Sequence, residues 1–169
     1  MQLRDLERLY DYNRWANDQL MPILERLTPE EFTREVGGAY GSIRNTLVHM
    51  MSAQWGWLGG CGGLKRGPRL NPDDFPTLGS IKETWDRIEQ ADREFLASLT
   101  DDDLERMVVY PNERGEARSL PLGELMEHAA NHNVHHRGQV SMMLRMMGHA
   151  PADVDLLMYW GYKHGVAVW

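Results

Sequence analysis

The sequence predicts an all-α fold: a four-helix bundle with short extra helices and a small hairpin before the last long helix. Three observations predict it. Apolar residues recur at spacings of three and four through most of the chain, the period of one helix face. Helix start and stop signals punctuate that period. One β-prone run, residues 107 to 120, interrupts it. Long amphipathic stretches joined by one long connection form the bundle pattern, and a length of 169 residues suits a single domain, 1–169, with a full hydrophobic core.

Residues 2 to 26 carry Leu6, Leu9, Ala16, Leu20 and Leu24 on one helical face, with Pro22 expected to kink the end. Thr28-Pro29-Glu30-Glu31 supplies a cap, a first-turn proline and a capping-box glutamate, so a short helix starts there and stops at Gly37-Gly38. Ser42 caps the next helix, which carries Ile43, Leu47, Met50, Met51 and Leu58 and runs into the glycine-rich stretch GGCGGLKRG. Residues 59 to 79 read as a loop. Ser80 with Glu83 reads as a capping box opening a helix through Trp85, Ile88 and Leu99. Thr100 and Asp103 start one more turn. Residues 107 to 120 read as a hairpin around a Pro-Asn and Gly turn. Pro121, at a first-turn position, begins the longest helix, about 121 to 147, which Gly148 and Pro151 stop. A final short helix covers about 153 to 164.

A net charge of −7 argues against a nucleic-acid groove, which needs clustered Lys and Arg. Cys61 stands alone, which excludes an intrachain disulfide and suits a reducing compartment. The first residues lack the apolar core of a signal peptide, and no apolar run approaches the ~20 residues of a membrane span. A cytoplasmic protein without a nucleic-acid or membrane partner is the expectation.

Chemistry concentrates in EHAANHNVHHRGQ, where His128, His132, His135 and His136 fall within nine residues. Each residue of a helix advances about 100°, so with His128 at zero, His135 lies at about −20°, His132 at about 40° and His136 at about 80°. The apolar stripe of Leu122, Leu125, Ala129, Val140 and Met143 centres at roughly 90°. His132 and His136 therefore face the core, one turn apart and close enough for two imidazoles to converge on one ion. His128 and His135 sit at the edge, and Arg137 points away at about 180°, placed to anchor a neighbouring helix or a dimer contact. Without metal, two inward imidazoles need partners for every ring nitrogen, so on periodicity alone a metal pair and a hydrogen-bonded pair weigh about equally. Asn133 stands where a zinc protease of the HExxH type needs glutamate. His49 is the remaining histidine inside a predicted long helix, and spacing alone leaves it unassigned. His149 and His164 are expected to be exposed or to interact with helix C-termini. Flanking groups able to orient ligands are Gln139, Asn131, His128 and, one turn before His49, Asn45.

YNRWANDQL at 12–20, GSIRNTLVHMMSAQWGWL at 41–58, NHNVHHRGQV at 131–140 and APADVDLLMYW at 150–160 together resemble the DinB family. The resemblance spans nearly the whole length, and the segment ending in HHRGQ is its most specific part. It implies a four-helix bundle that binds a divalent ion through three histidines, one in the second helix and an HxxxH pair in the last long helix. These positions match His49, His132 and His136. It further implies a homodimer and, in related branches, transfer or isomerisation with a low-molecular-weight thiol.

Three neutral histidines without a fourth protein ligand leave positions for water or substrate, the arrangement of a catalytic site. Zinc or nickel is the first expectation, and imidazole ligation also suits iron and copper. The leading reading is therefore hydrolysis or thiol-dependent transfer on a small-molecule substrate. Its rivals are a non-catalytic protein that binds metal in a stress response and a helical interaction module.

Overall fold

The computed structural model describes residues 1–62, 69–112 and 114–168. Local capping chemistry sets where most of its helices begin. The first helix, α1 (Leu3–Leu24), buries Leu6, Ala16, Leu20 and Leu24 at helical spacing and carries Pro22 in its final turn. At α2 (Pro29–Thr33), Thr28 Oγ1 accepts from the Glu31 amide at 3.2 Å and the Glu31 carboxylate accepts from the Thr28 amide at 2.9 Å. Ser42 caps α3 (Ile43–Cys61) by accepting from the Asn45 amide at 3.2 Å. The helix continues through Gly59 and Gly60, past the expected end at Leu58, because Leu58, Gly59 and Cys61 are buried in it. Packing there outweighs the weak helix preference of glycine. Residues 63–68 of the expected loop lie outside the described residues, and a 3-10 turn occupies Pro72–Asp74.

The next helix, α4 (Leu78–Ala97), starts two residues before the predicted Ser80. Thr77 is its cap: Thr77 Oγ1 accepts from the Ser80 amide at 3.2 Å, so Ser80 is the third-position partner of the box and not the cap. A 3-10 turn at Asp101–Glu105 leads into an antiparallel hairpin, β1 (Met107–Pro111) and β2 (Ala117–Pro121), with Val109 opposite Ser119. Pro121 is the residue before α5 (Leu122–Met146), not its first helical residue, and the last helix, α6 (Leu156–His164), begins later than expected.

The helices α3 and α5 pack most extensively on each other, with α1 and α4 against them. The larger core joins Leu20, Leu47, Met51, Ile81, Trp85, Val140 and Leu144 from these four long helices. A second core, with Leu6, Leu96, Val108, Leu122 and Leu125, seats the hairpin beside the start of α5. At the outer side of α1, Tyr12 meets Tyr159 of α6 and donates its hydroxyl to the Val154 carbonyl at 2.8 Å.

The buried arc of α5 is wider than periodicity suggested and is centred near roughly 140°. Gly123, Ala130, Arg137 and Ser141 all fall inside it. Arg137 does point away from the histidines, as expected, but it is 1% exposed. Its Nη1 donates to Asn17 Oδ1 at 3.0 Å and its guanidinium lies 5.1 Å from the Tyr12 ring centroid, tying α5 to α1. His149 also departs from expectation: its Nε2 lies 3.1 Å from Glu31 Oε1, a contact between the end of α5 and α2.

Candidate metal centre

Because α3 and α5 lie side by side, His49 on one meets His132 and His136 on the other. Their Nε2 atoms converge: His49 to His132 is 3.0 Å and His132 to His136 is 3.1 Å. His136 is buried, and the other two are half-buried. Among the described residues, no further histidine, cysteine or carboxylate joins the group.

Hydrogen bonds around the cluster direct its lone pairs. His136 Nδ1 lies 2.9 Å from Gln139 Oε1, an acceptor, so the ring carries its proton on Nδ1 and turns a bare Nε2 inward. Gln139 Nε2 then reaches His135 Nε2 at 3.0 Å. Tyr40 stacks on His49 with ring centroids 3.9 Å apart, and its hydroxyl is 2.9 Å from His49 Nε2. One proton on His132 Nε2 can bridge to His49 or to His136 but not to both. In neutral rings at least one of the two close nitrogen pairs is therefore not a hydrogen bond, since His132 Nε2 cannot donate to one partner and accept from the other. A cation among the three nitrogens removes that conflict. Tetrahedral zinc, at roughly 2.0–2.1 Å from each nitrogen, places its ligand nitrogens roughly 3.3–3.4 Å apart, within a few tenths of the two spacings that involve His132, and the third pair lies within 4.8 Å.

Electrostatics favours the neutral, metal-ready form. Burial, then His136, His132 and Arg69, push the His49 pKa down to about 3. Burial, then the neighbouring histidines, push His132 down to about 4. Burial also lowers His136, while its bond to Gln139 works the other way. A cleft of about 390 Å³ beside His49 is lined by Tyr40, Asn45, Ser52, Arg69 and Asn71, and gives a small molecule access from that side.

The groups expected to flank the ligands fare differently. Gln139 contacts His136 directly. Asn45 is not hydrogen-bonded to His49; its Nδ2 donates to the Tyr40 carbonyl at 3.1 Å and so holds the loop that carries the tyrosine. His128 is exposed and packs edge-on against Trp57, its ring 6.1 Å from that of His132. Asn131 is exposed and bonds back to the Glu127 carbonyl at 3.1 Å, away from the cluster. Its angle on the helix lies outside the buried arc, which explains the difference. Tyr40 is the residue that sequence reasoning missed. Its one local signal is the run of glycines around it: Gly37, Gly38 and Gly41 all adopt positive φ, a backbone that other residues rarely take.

Fold and site together define a helical-bundle protein in which two central helices bring three imidazoles to the spacing of a metal centre. The sequence profile of the DinB family matches residues 1–163, and the chain belongs to that family. It is similar to Protein DinB of Bacillus subtilis (strain 168), 27% identical over 157 residues that cover 90% of this chain and 91% of that protein. It is also similar to the uncharacterized protein YizA of the same organism, 24% identical over 150 residues, covering 89% and 92%. In fold it matches the crystal structure of a DinB-like protein from Bacillus cereus ATCC 10987. That match has a TM-score of 0.58 at 23% identity and covers 84% of this chain and 92% of the other.

Proposed function

We propose that the chain binds one divalent ion, zinc or nickel, through Nε2 of His49, His132 and His136, and uses the remaining coordination positions to act on a small molecule by hydrolysis or thiol-dependent transfer. The observation that carries this reading is the convergence of three Nε2 atoms, one of them fixed as a bare acceptor by Gln139. An ion bound there acts as a Lewis acid and makes a water or a thiol acidic near neutral pH. The chain's own residues supply the surroundings. Gln139 orients His136. Tyr40 offers a hydroxyl beside the open side of the cluster, placed to hold or pass a proton to a substrate atom. Arg69 in the same cleft supplies a positive charge that favours an anionic substrate group.

We take the site of action to be cytoplasmic; no helix among the described residues is long and apolar enough to cross a membrane. Met142, Met146, Leu157 and Tyr162 stay largely exposed, apolar surface that a second copy would cover, and we take the working form to be a homodimer. The experiment is to load purified protein with zinc or nickel and screen ester, amide and low-molecular-weight-thiol transfer substrates. The reading expects one activity that is lost in His49→Ala and sharply reduced in Tyr40→Phe, with metal retained in the latter. Metal-loaded protein that binds its ion tightly but turns over no substrate of either class would favour the non-catalytic alternative.

A further inference from the structure

The seam between α3 and α5 continues past the histidine cluster as a row of rings. On α3, Ala53 follows His49 by one turn and Trp57 follows Ala53 by another, while on α5 His128 precedes His132 by one turn. The His128 ring lies 6.1 Å from that of His132 and 5.1 Å from that of Trp57. Trp57 in turn lies 5.6 Å from the ring of Tyr110 on the hairpin. At 1.5 Å of rise per residue, the path from His49 to Trp57 covers about 12 Å and that from His132 to His128 about 6 Å. The row thus runs from the three imidazoles to the hairpin over the length of a small molecule.

Between its two ends the seam is low. Ala53 is half-buried and carries only a methyl group, and a Cβ added at Gly56 would meet no atom within 4 Å. His132 is half-buried and His128 exposed, so accessible surface continues along α5 from the cluster. It ends at a cleft of about 560 Å³ walled by Trp57, Tyr110, Leu120, Leu125 and His128, a volume in the range of small-molecule pockets. Trp57 meets both Tyr110 and His128 edge to face, with interplanar angles of 63° and 77°. Ring faces and ring edges are the surfaces on which a further aromatic ring packs best. Asn112, at the lip, is engaged within the hairpin turn: its Oδ1 accepts from the Arg114 and Glu116 amides and its Nδ2 donates to the Glu116 carboxylate. Glu124 is the one carboxylate in the described lining; it opposes an anionic group there, and its exposure to solvent weakens its hold on a cation. Rings, aliphatic carbon and a solvated acid call for an uncharged aromatic group.

We propose that this cleft receives an aromatic ring at one end of the molecule whose other end is acted on at the histidine centre. The inference rests on the metal-centre reading above and adds the substrate class: an uncharged aryl group carried about 6–12 Å from the reacting atom. Trp57 is then a specificity-determining residue that contacts the ring and not the reacting atoms.

The test uses hydroxamates, which chelate an open metal ion through two oxygens, on the full chain loaded with zinc. Acetohydroxamate has no tail, hexanohydroxamate a flexible apolar tail and 3-phenylpropionohydroxamate a ring. The phenyl compound is expected to bind at least about tenfold more tightly than acetohydroxamate and more tightly than hexanohydroxamate, and Trp57→Ala should remove that gain so that the three bind alike. Equal binding of the phenyl compound and either of the others to the wild-type chain, or a phenyl gain that survives Trp57→Ala, would overturn the proposal. Failure of the metal-centre reading shows itself separately, as acetohydroxamate that does not bind the zinc-treated chain. The cleft is then judged on metal-free protein titrated with 3-phenylpropionamide. A saturable shift of the Trp57 indole N–H signal, with Trp15 and Trp160 unmoved, supports the site, and its absence overturns it. If Trp57→Ala does not fold, the ranking of the three hydroxamates on the wild-type chain decides the matter by itself.

Discussion

His132 lies between His49 and His136, and the proton arrangement around it depends on one amide, Gln139. Removing that amide frees the His136 ring to turn and to change tautomer. Gln139→Leu is therefore expected to lower metal affinity by roughly 10- to 100-fold, the usual cost of losing a group that orients a ligand, while leaving far-ultraviolet circular dichroism unchanged. A competitive titration against a chromophoric chelator reads this directly. The pH dependence follows from the same residues. His49 and His132 have folded-state pKa values of about 3 and about 4, below the ordinary 6.5. In the window between those values and 6.5 the unfolded chain binds more protons than the folded one. The metal-free fold thus loses stability as pH falls through that window. Protons compete for the folded site only below its own low pKa values, so metal occupancy should hold from pH 7.5 through pH 6 and collapse at a midpoint well under 6.5. Occupancy that stays constant to below pH 3, under the folded-state values of these histidines, in protein that is still folded would exclude histidine as the main ligand type.

At the scale of elements, the loop before α3 and the buried face of α4 make separate predictions. Gly41 has φ 79°, and a Cβ there would run into the Glu35 carboxylate. Gly41→Ala should cost about 1–3 kcal/mol in urea denaturation and release Tyr40 from His49. On α4, burial raises Asp92 and Glu89 to about 7. A raised carboxyl pKa contributes stability that is fully present below the unfolded value near 4 and is lost as pH rises through about 7. Asp92→Asn should therefore flatten the fall in melting temperature between pH 5 and pH 8, and an unchanged slope would assign that fall to other groups. The long helices were legible because their apolar period and caps agree. The start of α4 was misread because Thr77 and Ser80 both satisfy a capping pattern, and only the bond from the Ser80 amide to Thr77 decides between them. Arg137 was read as pointing away from the histidines to anchor a neighbouring helix or a dimer contact; it anchors α1 through Asn17 and Tyr12, and what periodicity did not show is that it is buried in doing so.

For the whole molecule, what sequence could say of the site divides by distance along the chain. His132 and His136 share one helix, so helical phase alone paired them. His49 lies 83 residues from His132, and no local pattern links the two; family resemblance placed it beside them before any geometry did. Tyr40 had neither signal, because its position depends on a glycine loop folding back over α3. The central claim is that these three histidines hold one metal ion. It is tested most directly by elemental analysis of wild-type protein and four single variants, each purified without chelator and checked for its helical spectrum. The account predicts about one ion per chain in the wild type and in His135→Ala, whose ring packs edge-on against His136 but gives no nitrogen to the cluster, and near-complete loss in His49→Ala, His132→Ala and His136→Ala. Full metal occupancy in a folded His49→Ala protein, or equal loss in all four variants, would contradict it.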